Sequence, residues 1–388
     1  MLDERHDPIQ QEALRAVGGG AVRRVVAGED AFVGRDEELA RLRAAVEDSA
    51  RGAGSLFLVS GEPGIGKTRL ALELSSDVRA RGGRVAWGRC WEAGGAPPYW
   101  PWIDVLRVAL TFSRVPLDDA FGRHAKQLAR IVPEALAGVE PAAAPADPES
   151  GRFLLFDAVA AALRRAAVGG PLLVVVDDFH AADRASVLLL AFLARALRDC
   201  GVVLLGTYRD AEAGSSPDLV DALGELSRSA SRIALGGLDA EGVRAILEAT
   251  HAAQPASALV ERIHHVTDGN PFFVREIARL LPQAGARDAV DATLGIPEGI
   301  RETVRRRLQP LAAPVRSLLA VAAVAGREFD AVVVAGAARR EIIDVLDLLA
   351  PAPTQGIVDA VPGQSGRFSF RHALIQETLY DDLPLADR

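Results

Sequence analysis

Eight consecutive residues at positions 61–68, Gly-Glu-Pro-Gly-Ile-Gly-Lys-Thr, have the composition and order needed to hold a polyphosphate. Glycines let backbone N–H groups turn inward around phosphate oxygens. A helix starting directly after them adds the positive end of its dipole. Lys67 is placed to neutralise β- and γ-phosphate charge, and Thr68 to ligate Mg²⁺. The expected nucleotide-binding set is therefore Gly61, Pro63, Gly64, Ile65, Gly66, Lys67, Thr68 and the adjacent Arg69.

A second chemical signature lies at residues 172–178, an apolar run ending in Asp177 and Asp178. Downstream of a phosphate loop, Asp177 is expected to hold Mg²⁺, directly or through water. Asp178 then either orients and deprotonates an attacking water or merely caps the next helix. Residues 202–208 form another apolar run, followed by Arg209. From the carboxyl edge of a parallel sheet, Arg209 can reach a γ-phosphate; the alternative is a surface pair with Asp210. Lys67, Asp178 and Arg209 are thus the candidate catalytic groups. Val33, Gly34 and Arg35 either touch an adenine through their backbone or form a plain turn before a helix. Asp268-Gly-Asn-Pro271 reads as a turn with Pro at a first helical position. His180, His372, Cys90 and Trp91 are isolated polar or aromatic residues, while Trp100 and Trp102 read as loop anchors or a ligand platform.

The elements that must position these groups follow from periodicity. Leu39, Leu42 and Val46 space a helix within 36–51, and Leu70, Leu74 and Val78 another over 69–81. Strands are expected at 55–60, 85–87, 172–176, 202–208 and 232–235, with helices between them, which implies a parallel α/β sheet. A Gly/Pro/aromatic loop is expected at 94–102. Beyond residue 237 the pattern becomes helical, at 240–250, 256–267, 271–281, 298–308 and 315–325. Two short strands at 357–360 and 367–370 flank Pro362-Gly363, a hairpin signal. The expected organisation is a lead-in over 1–30, a P-loop domain over 31–237, a helical lid over 238–297 and a winged-helix-like domain over 298–388.

The bulk properties narrow the function classes. The 388 residues carry a formal net charge of −8, so bulk electrostatics do not favour nucleic acid. Two cysteines without metal-ligand spacing, a charged N-terminus and no membrane-length apolar run imply a cytoplasmic protein with no membrane partner. The Arg-rich stretch at 301–307 reads as a solvated helix face.

Together these residues resemble the STAND class of AAA-related ATPases, most nearly the ATPase part of MalT-like and LuxR-type (LAL) bacterial regulators. The carriers are FVGRDEEL, GEPGIGKTRL, GRCWEAGGAPPYWPW, VVVDDFHAAD, GTYRD, DGNPFFVREIARLL and FRHALIQETLYDDL, spread from Phe32 to Tyr380. One departure is Ala181, where the family usually has Trp. The resemblance implies an ASCE/AAA-type P-loop fold with a lid and a winged-helix-like domain. It implies that Val33, Gly34 and Arg35 lie by the adenine, Arg209 senses phosphate, Pro271 packs on the base and His372 contacts an ADP phosphate. It also implies a switch that ADP closes and ATP opens, with slow Mg²⁺-dependent hydrolysis, in a transcriptional regulator. An inducer or protein partner and ATP-driven homo-oligomers go with that reading, with DNA bound only through a region not visible in this chain. An origin-binding-like AAA+ machine acting on DNA and a nucleotide-sensing scaffold without turnover are the alternatives.

Overall fold

The computed structural model describes residues 32–91, 95–112, 121–143, 147–209, 224, 226, 230–251, 254–281, 298–361 and 364–384. The lead-in over 1–30, Asp210, Pro362 and Gly363 lie outside them.

Five parallel strands form the first sheet: β1 (Ser55–Gly61), β2 (Arg84–Arg89), β3 (Leu172–Asp177), β4 (Val202–Tyr208) and β5 (Ala230–Leu235), in the order β2-β3-β4-β1-β5. β3 and β4 are buried along their whole length. That is why they read as unbroken apolar runs: a parallel sheet covered by helices hides both faces. One face takes Leu56, Leu58, Val174, Val176 and Leu204 into a core with α3 (Trp100–Thr111), α5 (Pro148–Ala166) and α6 (Arg184–Ala196). The alternate residues Phe57, Val59, Leu173, Val175 and Val203 pack against α1 (Asp36–Ala50) and α2 (Lys67–Ala80). A short helix, α4 (Arg123–Leu128), packs on α5.

The expected loop over 94–102 ends earlier than its composition implies. α3 begins at Trp100 with Pro101 in its first turn, a position that tolerates a missing N–H. Trp102 is fully buried and donates its indole N–H to the Ser186 carbonyl at 3.2 Å, so it is an anchor. Gly88 is forced by this packing, because a Cβ there would lie 1.9 Å from the Pro101 oxygen.

The remaining helices are α7 (Ala240–His251), α8 (Ser257–Thr267), α9 (Pro271–Leu280), α10 (Glu298–Leu308) and α11 (Ala313–Ala325). They are followed by β6 (Glu328–Asp330), α12 (Ala331–Ala338), α13 (Ile342–Leu349), β7 (Val358–Ala360), β8 (Arg367–Phe370) and α14 (Ala373–Asp381). β7 and β8 pair antiparallel, as the hairpin signal implies, with Asp359 opposite Ser369. β6 adds a third strand beside β8; its three residues, with only Phe329 buried, were too short to show a period. One continuous apolar core runs from Leu238 through Phe273 and Leu319 to Leu379, joining α7–α9 to the helices and strands that follow. Among the described residues no helix is long and apolar enough to cross a membrane.

Candidate functional site

The phosphate loop lies between β1 and α2, as its sequence requires. Gly61, Gly64 and Gly66 have φ of 148°, 80° and 105°, which L side chains rarely adopt. Lys67 is buried and donates to the Gly61 and Glu62 carbonyls, each at 2.8 Å. The ammonium is thus held across the loop mouth by carbonyls that a phosphate would outbid. Arg69 points along α2 toward Glu73 at 3.5 Å.

At the tips of the neighbouring strands, Thr68 Oγ1 lies 3.1 and 3.2 Å from the two carboxylate oxygens of Asp177. Thr207, at the end of β4, donates to Asp177 at 2.5 Å and accepts the Asp178 backbone N–H at 3.0 Å. Asp177 is 1% exposed. Burial, followed by the charge of Asp178, pushes its carboxyl above the ordinary carboxylate range, against hydrogen bonds from Thr207 and Thr68. Arg89 Nε lies 3.9 Å from its carboxylate. A buried carboxylate beside a hydroxyl suits a divalent cation whose other ligands come from phosphate and water. Among the described residues no group of three or more His, Cys, Asp or Glu could hold a metal ion by itself. Thr68 and Asp177 are the residues that would hold it.

Asp178 follows in a left-handed conformation with φ of 56°, an uncommon state for a residue other than glycine. It does not cap the next helix; Asp183 does, accepting from the Ser186 N–H at 3.0 Å. Asp178 is instead gripped by Arg89 from the end of β2, through Nε at 3.0 Å and a terminal nitrogen at 2.8 Å. Arg89 carried no signal of its own, being one of many arginines. Its role follows only from strand order, since β2 and β3 are neighbours with Arg89 opposite Asp177. Arg209 stands half-buried immediately after β4, on the same sheet edge.

Val33, Gly34 and Arg35 connect this sheet to the helical region. Val33 packs against the second core, and a Cβ on Gly34 would sit 2.8 Å from Leu238. Arg35 is 7% exposed and donates to the Ile65 carbonyl at 3.4 Å and to the Gly236 carbonyl. Its side chain therefore ties the start of α1 to the phosphate loop and to the exit of β5. Burial lowers its pKa, with Glu38 opposing.

The turn at 268–271 docks on the phosphate loop. Asn270 is buried, caps α9 through the Phe272 N–H at 3.1 Å and donates its amide to the Pro63 carbonyl at 3.1 Å. Pro271 occupies the first helical position, half-buried. A Cβ on Gly64 would lie 2.7 Å from Phe272, so this glycine admits the turn as well as shaping the loop.

His372 stands between two parts of the chain. Its Nε2 meets the Glu62 carboxylate and its Nδ1 lies 3.3 Å from Asp268. The ring packs edge-on against Phe273 and is 5% exposed. Arg371 contacts Glu62 at 3.4 Å and Asp359 at 2.8 Å, while Arg327 holds Asp268 at 2.8 Å. Burial pushes the imidazole pKa down, but the Asp268 and Glu62 carboxylates facing its two nitrogens outweigh it and raise the group above its ordinary 6.5. Burial pushes Glu62 up, and His372, Arg307 and Arg371 together hold it below the usual range. A carboxylate facing each ring nitrogen favours the protonated ring over the neutral one. The residue that joins His372 to the nucleotide loop is therefore Glu62, at a variable position of the P-loop pattern, where the pattern itself gives no signal.

The arginines of α10 are largely matched within the chain. Arg301 pairs with Asp381 at 2.8 Å, Arg305 with Asp382 at 2.8 Å, and Arg307 donates to the Gly356 carbonyl.

Comparison with known proteins bears on the fold. Residues 31–205 match the family model described as AAA ATPase domain. The Walker-type ATPase PABY2304 of Pyrococcus abyssi superposes with a TM-score of 0.52 at 14% identity, covering 92% of this chain and 98% of that one. A signal transduction ATPase with numerous domains from Pyrococcus horikoshii, carrying a tetratricopeptide repeat sensor, matches at TM-score 0.40 and 15% identity, over 93% of this chain and 45% of that one. In sequence, an uncharacterized protein of Rhizobium meliloti (strain 1021) is 25% identical over 372 residues, 90% of this chain. This chain spans about a third (35%) of the length of that relative. The fold is that of P-loop ATPases.

Proposed function

We propose that this chain is a nucleotide-controlled switch, closed by ADP, opened by exchange for ATP and reset by slow Mg²⁺-dependent hydrolysis. The observation that carries the reading is the His372 ring between Glu62 of the phosphate loop and Asp268 of the 268–271 turn. A metabolic ATPase has no need to bolt a remote C-terminal helix to its P-loop. A switch does, because a γ-phosphate arriving beside Glu62 adds negative charge at this junction and biases a bistable contact. In this reading Lys67 and the loop N–H groups bind the phosphates, Thr68 and Asp177 hold Mg²⁺, and Arg209 senses the γ-phosphate. Val33, Gly34, Arg35 and Pro271 border the base. The switch serves as the regulatory module of a transcriptional regulator of the MalT-like or LuxR type, answers an inducer or protein partner in the cytoplasm, and assembles into homo-oligomers with ATP.

A second reading, a nucleotide-sensing scaffold without useful turnover, is favoured by the grip of Arg89 on Asp178, which occupies the group expected to activate water. Mass spectrometry of the nucleotide that co-purifies, with sizing in ADP and ATP, tests the switch. Retained ADP and an ATP-dependent change in size are expected. Nucleotide-free protein with equal affinity for ADP and ATP and one size in both would overturn it.

A further inference from the structure

α12, with the sequence Ala-Val-Val-Val-Ala-Gly-Ala-Ala, has no polar residue on any face. Only Ala331, Val334 and Ala335 face the core, while Val332 and Val333 are 65% and 60% exposed. A helix that is apolar all round belongs in an interior, because surface helices keep a polar outer face. The next helix continues the surface: Ile343 is 65% exposed, with Ile342 and Leu346 partly so beside it. Gly336 faces open space, where a Cβ would meet nothing within 4 Å, so another backbone can approach closely.

Charge indicates what covers this face. Arg339 and Arg340 lie exposed in the turn before α13, and Asp344 and Asp347 lie exposed on it. None of the four side chains forms an ion pair with a described residue, unlike the matched arginines of α10. The two carboxylates would repel a phosphate backbone, so the second helix of this winged-helix-like unit is unsuited to reading nucleic acid. The order of charges is instead self-complementary. Arg339 precedes Ile343 by four positions and Asp347 follows it by four. An antiparallel two-fold pairing across Ile343 brings the turn carrying Arg339 and Arg340 of each copy toward the Asp347 end of the other's α13, with Val333 and Ile343 enclosed between them. Such isologous matching is the signature of a two-fold interface.

We propose that α12 and α13 form a docking face for a second copy of this chain. Neither helix contributes a residue to the nucleotide site, so the contact is independent of the switch reading.

Sedimentation velocity over a concentration series, with ADP present, tests this on the 388-residue chain. A reversible dimer is expected. Val333→Asp and Ile343→Asp should each raise its dissociation constant about 100-fold or more, as loss of a central apolar contact does. ADP affinity and circular dichroism should stay unchanged, which separates lost pairing from lost folding. Arg339→Glu with Arg340→Glu should weaken the dimer, Asp347→Arg alone should weaken it too, and the three together should restore it. A monomer at every concentration, a dimer indifferent to Val333→Asp and Ile343→Asp, or a triple variant no tighter than its parents overturns the proposal.

Discussion

Replacing His372 by Ala removes a buried side chain that, alongside Arg371, links the phosphate loop to the C-terminal helical unit, through Glu62 and Asp268. Breaking a buried ion pair costs about 3–5 kcal/mol when the surviving charge is stranded. Here neither survivor is stranded. Glu62 keeps Arg371 and Asp268 keeps Arg327, and their side chains are 20% and 35% exposed. A loss of about 2 kcal/mol in the closed state is therefore expected, equivalent to roughly 30-fold at 1.4 kcal/mol per decade. Stopped-flow release of a fluorescent ADP analogue reads this directly, as release roughly 30-fold faster. The pH dependence supplies an independent check. The His372 pKa is raised in the closed state, so its contribution is complete below 6.5 and is lost as pH rises through the raised value. Glu62 and Asp268 are lowered, so their contributions hold above their ordinary 4.5 and 3.8 and fade only in stronger acid. ADP should thus dwell longest between about pH 5 and 6.5 and leave faster on the alkaline side, with that alkaline limb absent in His372→Ala. Release unchanged within twofold, or the same alkaline limb in the variant, would refute the latch.

Lys67→Ala should abolish nucleotide binding by calorimetry, because nothing else in the loop supplies a buried ammonium; retained affinity contradicts the phosphate-site assignment. Asp178→Asn should lower steady-state ATP hydrolysis by 100-fold or more, roughly the worth of a general base, and unchanged turnover would favour the scaffold reading. Arg89→Ala should raise hydrolysis by freeing Asp178, and a fall would show that Arg89 assists the reaction. Arg35→Ala leaves the Ile65 and Gly236 carbonyls without their buried donor. It should cost about 2 kcal/mol and lower the thermal midpoint by roughly 4–8 °C; an unchanged midpoint would deny Arg35 its bracing role.

The nucleotide site was legible because its chemistry is local. Gly61, Gly64, Gly66, Lys67 and Thr68 are contiguous, and the apolar strand before Asp177 announces itself by length and composition. The P-loop fold followed from the same alternation of strands and helices. Arg89, Glu62 and Asn270 were not legible, because each acquires its meaning from a residue far along the chain. Arg89 meets Asp178 only through the pairing of β2 with β3. Glu62 is a permissive position until residue 372 arrives beside it. His372 itself was legible only through resemblance, which did not foresee its contact with Glu62. The start of α3 was hidden by a Pro- and Trp-rich run that composition assigns to a loop, whereas burial of Trp102 decides for a helix.

The sheet order carries a consequence for how the molecule is made. β1 bears the phosphate loop, yet its two neighbours are β4 and β5, whose paired residues run from Val203 to Tyr208 and from Ala230 to Leu235. During synthesis, β1 leaves the ribosome with neither edge covered. At roughly 5–20 residues per second it waits about 10–40 s for its partners. Through that interval an apolar strand with two open edges is exposed to misassociation, and nucleotide has no finished cradle to stabilise. Nascent chains halted before Leu235 should therefore need a chaperone's protection, and ATP affinity should arise abruptly once β5 has emerged.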